Sequence, residues 1–309
     1  MSDTAWIVPT IITVISASTP LLLAALGELV TEKSGVLNLG VEGMMLIGAI
    51  SAFAVGVTTG NWMLGILAGA IGGVFISLLF AVLTLNFLAN QVATGLALTL
   101  FGIGLSALIG DSFVGTPFAG LPKLSIPGLS DLPLVGPLIF GHDFLIYISF
   151  VMVVAVAWFL NRSKAGLVLR AVGENHDAAH SIGYPVVAIR YMAIMFGGLM
   201  SGLAGAFLSL SYTPMWAEDM SAGRGWIALA LVVFATWKPY RALLGAYIFG
   251  GVTILQLHAQ GIGVDIPAQL LSMLPYLATI LVMVLISLDS SKLRESAPAS
   301  LGKIFHPAA

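Results

Sequence analysis

From Gly43 to Gly110 the chain runs without a single Asp, Glu, Lys or Arg. Polar notches at 58–61 and 86–91 divide this stretch into lengths close to the roughly 20 apolar residues that a helix needs to cross the hydrocarbon layer of a bilayer. The rest of the chain has the same character. It is 59% hydrophobic and 8% charged over 309 residues, with a mean hydropathy of +1.04. A water-surrounded globule cannot hide that much apolar side chain, so the solvent is lipid and the protein is integral to a membrane. Its formal charge of −2 gives no reason to expect nucleic acid as a partner. Cysteine is absent, which excludes a disulfide framework and a thiolate metal site.

Apolar lengths at 6–29, 39–59, 61–85, 91–110, 144–160, 190–212, 242–258 and 266–288 predict helical spans. The shorter run GWIALALVVFATW at 225–237 predicts a short or broken helix sheltered by its neighbours. The expected fold is therefore an all-α polytopic bundle of about nine spans, within a range of eight to ten, forming one membrane domain over 1–290. MSDTAWIVPT has no basic n-region and runs directly into a retained first span. Alternating the spans puts Lys33, Arg162, Lys164, Arg170, Arg190, Lys238, Arg241, Lys292, Arg294 and Lys303 on one face and leaves Lys123 and Arg224 on the other. The positive-inside rule then places the N-terminus outside and the C-terminus in the cytoplasm. Residues 111–143, which hold Pro117, Pro122, Pro127, Pro133 and Pro137, read as an external loop; residues 291–309 read as a loose cytoplasmic tail. Gly65, Gly69 and Gly73, and likewise Gly198, Gly202 and Ala206, recur every fourth residue and form ridges suited to close helix packing.

Against this background GELVTEKSGVLNLGVEGMM, residues 27–45, concentrates Glu28, Glu32, Lys33, Asn38 and Glu42. An acidic group inside a membrane costs roughly 2.5–3.5 kcal/mol on insertion scales and persists where it faces a polar cavity or a partner. At helical spacing Asn38 and Glu42 share one face. They either line a route for solute or staple two helices together, with Glu28, Glu32 and Lys33 wet at the inner boundary. Recognisable catalytic arrangements are missing: there is no GxSxG, HExxH or GxxxxGK[ST]. His176 and His180 share a face but lack a nearby third ligand, so no metal site is expected.

The inner loop 161–190 is too long for a simple turn. Within it GENHDAAHSIG predicts a short helix: Asn175 caps its start, Asp177 sits in the first turn where the dipole favours an anion, and Gly183 takes the left-handed position at its end. Ala178 and Ala179 give it a small face. Such a helix is either a docking knob for a soluble partner or an amphipathic linker resting on headgroups.

DAAHSIG has the form of the EAA-x-x-x-G loop of permease subunits of ATP-binding-cassette importers, with Asp177 in place of the usual Glu, followed by Ala178, Ala179 and Gly183. The longer phrase LRAVGENHDAAHSIG resembles the branched-chain amino-acid, simple-sugar and nucleoside permease family. GELVTEKSGVLNLGVEGMMLIGA and GRGWIALALVVFATWKPYRALLGA at 223–246 are similar to its nucleoside-type branch. The likeness extends from about residue 15 to 290. It implies a transporter subunit, not an enzyme, which binds no cofactor itself and leaves ATP and Mg to a separate cytoplasmic ATPase. Residues Gly173, Glu174, Asn175, Asp177, Ala178, Ala179 and Gly183 would form the coupling helix seated in that ATPase. Two permease subunits would build the pore in the inner membrane, the second a related but distinct chain, and an extracytoplasmic substrate-binding lipoprotein would deliver a small polar solute, nucleosides first. Asn38, Glu42, Asn90, Gln91 and Thr94 are pathway or helix-locking candidates. Tyr212, Trp216 and Trp226 are candidates for stacking on a base. A competing reading is an ion-coupled secondary transporter using Glu42. A membrane-embedded enzyme is the third, and it lacks a catalytic constellation.

Overall fold

The computed structural model describes residues 7–124, 130, 135–261 and 297–306, with scattered positions between 267 and 284. The span expected at 266–288 falls outside the continuously described residues. Regular structure is helical throughout the described residues, with one isolated antiparallel bridge between Lys123 and Asp143. In chain order the helices are α1 Ile7–Lys33, α2 Val41–Thr59, α3 Trp62–Ala81, α4 Gln91–Gly110, α5 Val135–Phe140, α6 Phe144–Arg162, α7 Lys164–Glu174, α8 His176–Ser181, α9 Val186–Phe207, α10 Arg224–Phe234 and α11 Pro239–Gly261. α3 and α9 continue into π-helical turns, Val82–Asn86 and Leu208–Tyr212.

Seven of these helices, counting the continuations, are long and apolar enough to cross a membrane. Of the four shorter helices, α10 is the apolar one of more than ten residues: its 11 residues rise about 16 Å, half of the ~30 Å hydrocarbon thickness. The expected count of nine spans thus resolves, among the described residues, into seven full lengths and one half-length helix.

α2, α3 and α9 form the centre of the bundle, with α1 against α9 and α11 on the far side of α1. Lipid tails supply no hydrophobic force between helices, so this centre depends on backbones approaching closely. The two glycine ridges meet each other. A Cβ on Gly73 would lie 2.1 Å from the carbonyl oxygen of Gly198, and one on Gly202 would lie 2.3 Å from that of Gly69. Polar cross-links reinforce the approach: Thr31 Oγ1 donates to the Ala193 carbonyl at 3.1 Å, and Ser209 Oγ to that of Ala49 at 2.8 Å.

Between α1 and α2 the chain folds back beside α1. Gly35 takes φ +88°, a conformation that a side chain would strain. The peptide N–H of Asn38 then reaches the carboxylate of Glu28, five residues before the end of α1, so the chain turns back along α1 before α2 begins.

The inner loop 161–190 holds two helices where one was expected. α7 begins at a Ser163 cap whose Oγ accepts from Gly166 N–H at 2.9 Å. Nor are residues 297–306 a loose tail. Ser300 and Phe305 are buried, and the Ser300 N–H donates to the Gly173 carbonyl at 2.8 Å.

Candidate functional site

Three carboxylates of the 27–45 cluster are buried: Glu28, Glu32 and Glu42 are at most 2% exposed. The wet inner boundary expected for Glu28 and Glu32 is therefore replaced by specific partners. Glu42 Oε1 accepts from Ser221 Oγ at 2.5 Å and from Gly223 N–H at 2.8 Å, while Oε2 accepts from Gly225 N–H at 2.5 Å. Gly225 lies in the first turn of α10, Gly223 is its N-cap and Ser221 precedes it, and the first N–H groups of a helix have no partner within it. Glu42 thus caps another helix from the side, with its negative charge at the positive end of that helix. Gly225 has to be glycine, because a Cβ there would fall 2.6 Å from the Glu42 Cα.

The other end of α10 is held in the same manner. Trp237 Nε1 donates to Glu32 Oε2 at 2.5 Å, and Lys33 Nζ lies 5.8 Å from the centre of the Trp237 ring. Backbone strain marks both flanks of α10. Asp219 and Ala222 precede it and Thr236 and Trp237 follow it, all with φ between +46° and +53°. Left-handed backbone at a non-glycine residue costs about 1–2 kcal/mol, so each persists because the surroundings hold it. α10 is a half-length helix clamped by an acid at each end.

Asn38 does not share a helix face with Glu42, since it precedes α2 and belongs to the fold-back. Its side-chain Oδ1 accepts from Gly40 N–H at 2.9 Å, and its Nδ2 donates to Met44 Sδ at 3.5 Å. Next to it, Leu37 N–H donates to Gln91 Oε1 at 2.8 Å. Gln91 Nε2 and Glu28 Oε2 are buried without a partner, on side chains that hold consecutive residues of the fold-back. Asn90 Oδ1 caps α4 through Ala93 N–H at 3.0 Å, and Thr94 N–H bonds the Asn90 carbonyl.

The pathway and stacking candidates are not brought together. Gln91 opens α4, whereas Trp216 packs on Gly110 at its far end, about 28 Å along the helix. Trp216 is buried at 2% exposure, which leaves it no free face for stacking. Tyr212 lies under the Arg224 guanidinium, 5.3 Å from its ring centre, and Trp226 is exposed. Sequence reasoning passed over Asp143, which caps α6 through Leu145 and Ile146 N–H groups and accepts a short bond from Ser211 Oγ. An acid just before a long apolar run was the available signal.

At the inner loop, Asn175 Oδ1 accepts from Ala178 N–H at 2.9 Å, and α8 ends with Gly183 at φ +94°. Gly183 N–H bonds the His180 carbonyl and Tyr184 N–H that of Ala179, closing the turn tightly. The two alanines divide between faces: Ala178 is exposed, while Ala179 is buried with Val172, Val186 and Phe305. Asp177, Ala178, Ser181 and Ile182 make the outer face, and Glu174 is exposed just before it. Gly173 lies against the end of α1, where a Cβ would meet the Lys33 carbonyl at 2.1 Å.

His176 and His180 face the Phe305 ring from 5.3 and 5.4 Å. Arg190 has only donors, so its contact with His176 Nδ1 at 3.1 Å makes that nitrogen the acceptor and leaves the proton on Nε2. Burial, and then the Arg190 charge, holds the His176 imidazole below its ordinary pKa. Among the described residues no three His, Cys, Asp or Glu side chains come together as metal ligands.

Residues 10–285 match the family model described as a branched-chain amino acid transport system permease component. The chain is 40% identical over 309 residues to TsgC13 of Haloferax volcanii, an ABC transporter permease protein with a provisional glucose label. That likeness covers 93% of this chain and 94% of TsgC13. It is 33% identical to NupQ of Bacillus subtilis, a guanosine ABC transporter permease protein, over 85% of this chain and 87% of NupQ. A second Bacillus subtilis guanosine permease protein, NupP, is 22% identical over 76% of this chain and 70% of its own length.

Proposed function

This chain belongs to the permease-component family of branched-chain amino acid transport systems, as a multi-span membrane subunit of ATP-binding-cassette type and not an enzyme; from that premise we propose that it moves a small hydroxylated solute, nucleosides first, into the cell by alternating access. The observation that carries the proposal is the outer face of α8. A short rigid helix, capped at both ends and anchored by its buried side, presents Asp177, Ala178 and Ile182 uncovered by any of the described residues. A cytoplasmic ATPase that grips this face, using its own ATP and Mg, tilts α7 and α9 through the rigid turns on either side.

The same reading puts the N-terminus outside, the inner loop and C-terminus in the cytoplasm, a second permease subunit beside this one, and a binding lipoprotein at the outer mouth. A distinct partner chain is favoured by the occurrence of two guanosine permease proteins, NupP and NupQ, in one organism. Within the pathway, Trp226 keeps an exposed face for a base, and Tyr212 lies under Arg224; Gln91, buried at 3% exposure, holds the fold-back instead of a solute. Glu42 is a helix-locking residue, since both its oxygens already serve α10. An ion-coupled mechanism built on Glu42 therefore has no free carboxylate to use.

Ala178→Arg tests the coupling face, because the side chain points away from the chain's own core. Expected are normal membrane insertion, loss of ATPase co-purification and loss of uptake; unchanged co-purification and uptake refute the role. Uptake of labelled nucleoside into vesicles holding the assembled transporter, challenged with other nucleosides and with glucose, tests the cargo. Competition by nucleosides alone is expected. The likeness to TsgC13 supports a sugar as the second reading, and uptake of labelled glucose with no uptake of labelled nucleoside would establish it in place of the first.

A further inference from the structure

Arg190 is 1% exposed and has no carboxylate partner among its hydrogen bonds. Its guanidinium serves three separate pieces of chain: Nε donates to the Ser34 carbonyl at the end of α1 at 3.2 Å, Nη1 to the Lys303 carbonyl at 3.3 Å, and Nη2 to His176 Nδ1 on α8 at 3.1 Å. The carbonyl end of α1 is where a helix dipole favours a cation. A buried cation that loses a partner is costly, so none of the three pieces moves away singly without a penalty.

Residues 297–306 bind the same pieces a second time. Ser300 N–H and Oγ donate to the carbonyls of Gly173 and Glu174, the last residues of α7, which lack partners within their helix. Gly302 N–H donates to the Gly35 carbonyl at 3.2 Å. Phe305 then fills the space between the rings of His176 and His180. One end of the segment is bonded to the fold-back and the other is wedged under α8.

We propose that residues 297–306 are a strap that makes α8 and the fold-back 34–40 move as one body, with Arg190 and Phe305 as its positioning residues. The consequence for transport rests on the coupling role given to α8 above: displacement of α8 reaches Asn38, and through it Glu28 and the mouth of α4 at Gln91, without passing along the membrane spans. The strap itself does not depend on that role.

Hydrogen exchange on the full-length permease alone, in nanodiscs and without any ATPase, separates the two. In Phe305→Ala the amides of 176–184 and of 34–40 are expected to exchange about tenfold faster together, while those of α3 and the middle of α9 stay unchanged. Phe305→Tyr, which keeps the ring, should restore both. Phe305→Leu is measured in parallel as a milder change expected to loosen both segments in the same direction, and it carries the test should the alanine variant fail to accumulate. Loosening of 176–184 with 34–40 unaffected, or no change in either, overturns the strap. Loss of uptake in Ala178→Arg with the strap intact speaks only to the coupling role.

Discussion

The Glu42 carboxylate and the peptide N–H of Gly225 stand 2.5 Å apart, although 183 positions separate them in the chain. With Ser221 and Gly223 on the other oxygen, α10 begins on a charge supplied by α2. It ends on a second acid, Glu32, through Trp237. The spans that carry the two acids, α1 and α2, both pack on α9, through Thr31 to Ala193 and through Gly48 against Gly202, and together hold a half-length helix whose own flanks are strained. Such a helix stays in place while both clamps are closed.

Glu42→Gln tests the first clamp. The amide offers one acceptor where three donors converge, and its NH2 group faces the Gly225 N–H or the Gly223 N–H as donor against donor. Charge-assisted bonds are lost and a buried donor is orphaned, at a cost of about 1–3 kcal/mol. Hydrogen exchange over 221–230 should rise and uptake should slow. Native exchange in that segment together with native uptake would show that the clamp does not hold α10.

Trp237→Phe tests the second. The phenyl ring keeps apolar volume beneath Lys33 but removes the donor, leaving Glu32 Oε2 buried and unpaired. Thermal unfolding in detergent should move to lower temperature by the equivalent of about 1–3 kcal/mol. Glu32→Gln should do less harm, because an amide oxygen still accepts from the Trp237 indole. A reversed order of the two variants would contradict the assignment of that bond.

The glycine ridges give a contrast within one kind of helix. Gly73→Ala places a Cβ against the backbone of Gly198 and must push α3 away from α9, costing about 1–3 kcal/mol. Gly104→Ala on α4 meets nothing within 4 Å and should be neutral or slightly stabilising, since alanine loses less backbone freedom in a helix. Folded yield from membranes and thermal midpoints should separate the pair clearly.

How much of this was legible beforehand depends on where the partners lie. Lengths of apolar sequence located seven full spans and the half-length helix, because the bilayer sets one length for all of them. Asn175 and Gly183 were legible as the punctuation of α8, since a cap acts on residues within one turn. The ridges at Gly73 and Gly198 were visible as surfaces suited to close approach, but not as surfaces that meet each other. Asn38 was misread onto a helix because the spacing of four is also compatible with a fold-back whose turn is set by Gly35 and Gly40. The partners of Glu42 are mostly peptide N–H groups, which every residue but proline carries, so no side-chain pattern announces them. The strap escaped notice for the same reason: Ser300 and Lys303 act largely through backbone atoms.

His176 supplies the remaining prediction, on pH. Its Nδ1 must stay unprotonated to accept from Arg190, and its Nε2 lies 3.6 Å from Asp177, a solvated neighbour that only partly offsets the guanidinium. Burial leads the causes that hold its pKa below the ordinary value near 6.5, followed by Arg190, with Asp177 acting upward and Lys303 downward. Between the folded and the ordinary value the unfolded or undocked segment binds more protons than the docked one, so docking of α8 strengthens with rising pH and weakens as pH falls below about 6.5. Protonation there puts a second positive group against a buried cation and releases the Nη2 bond. Hydrogen exchange at 176–184 should therefore quicken on acidification from pH 7 to pH 5 beyond what the intrinsic chemistry of exchange predicts. His176→Asn, which retains an acceptor near the position of Nδ1 but does not titrate, should remove that extra dependence. A wild-type profile identical to the asparagine variant would mean that Arg190 and His176 are not coupled in the way their geometry requires.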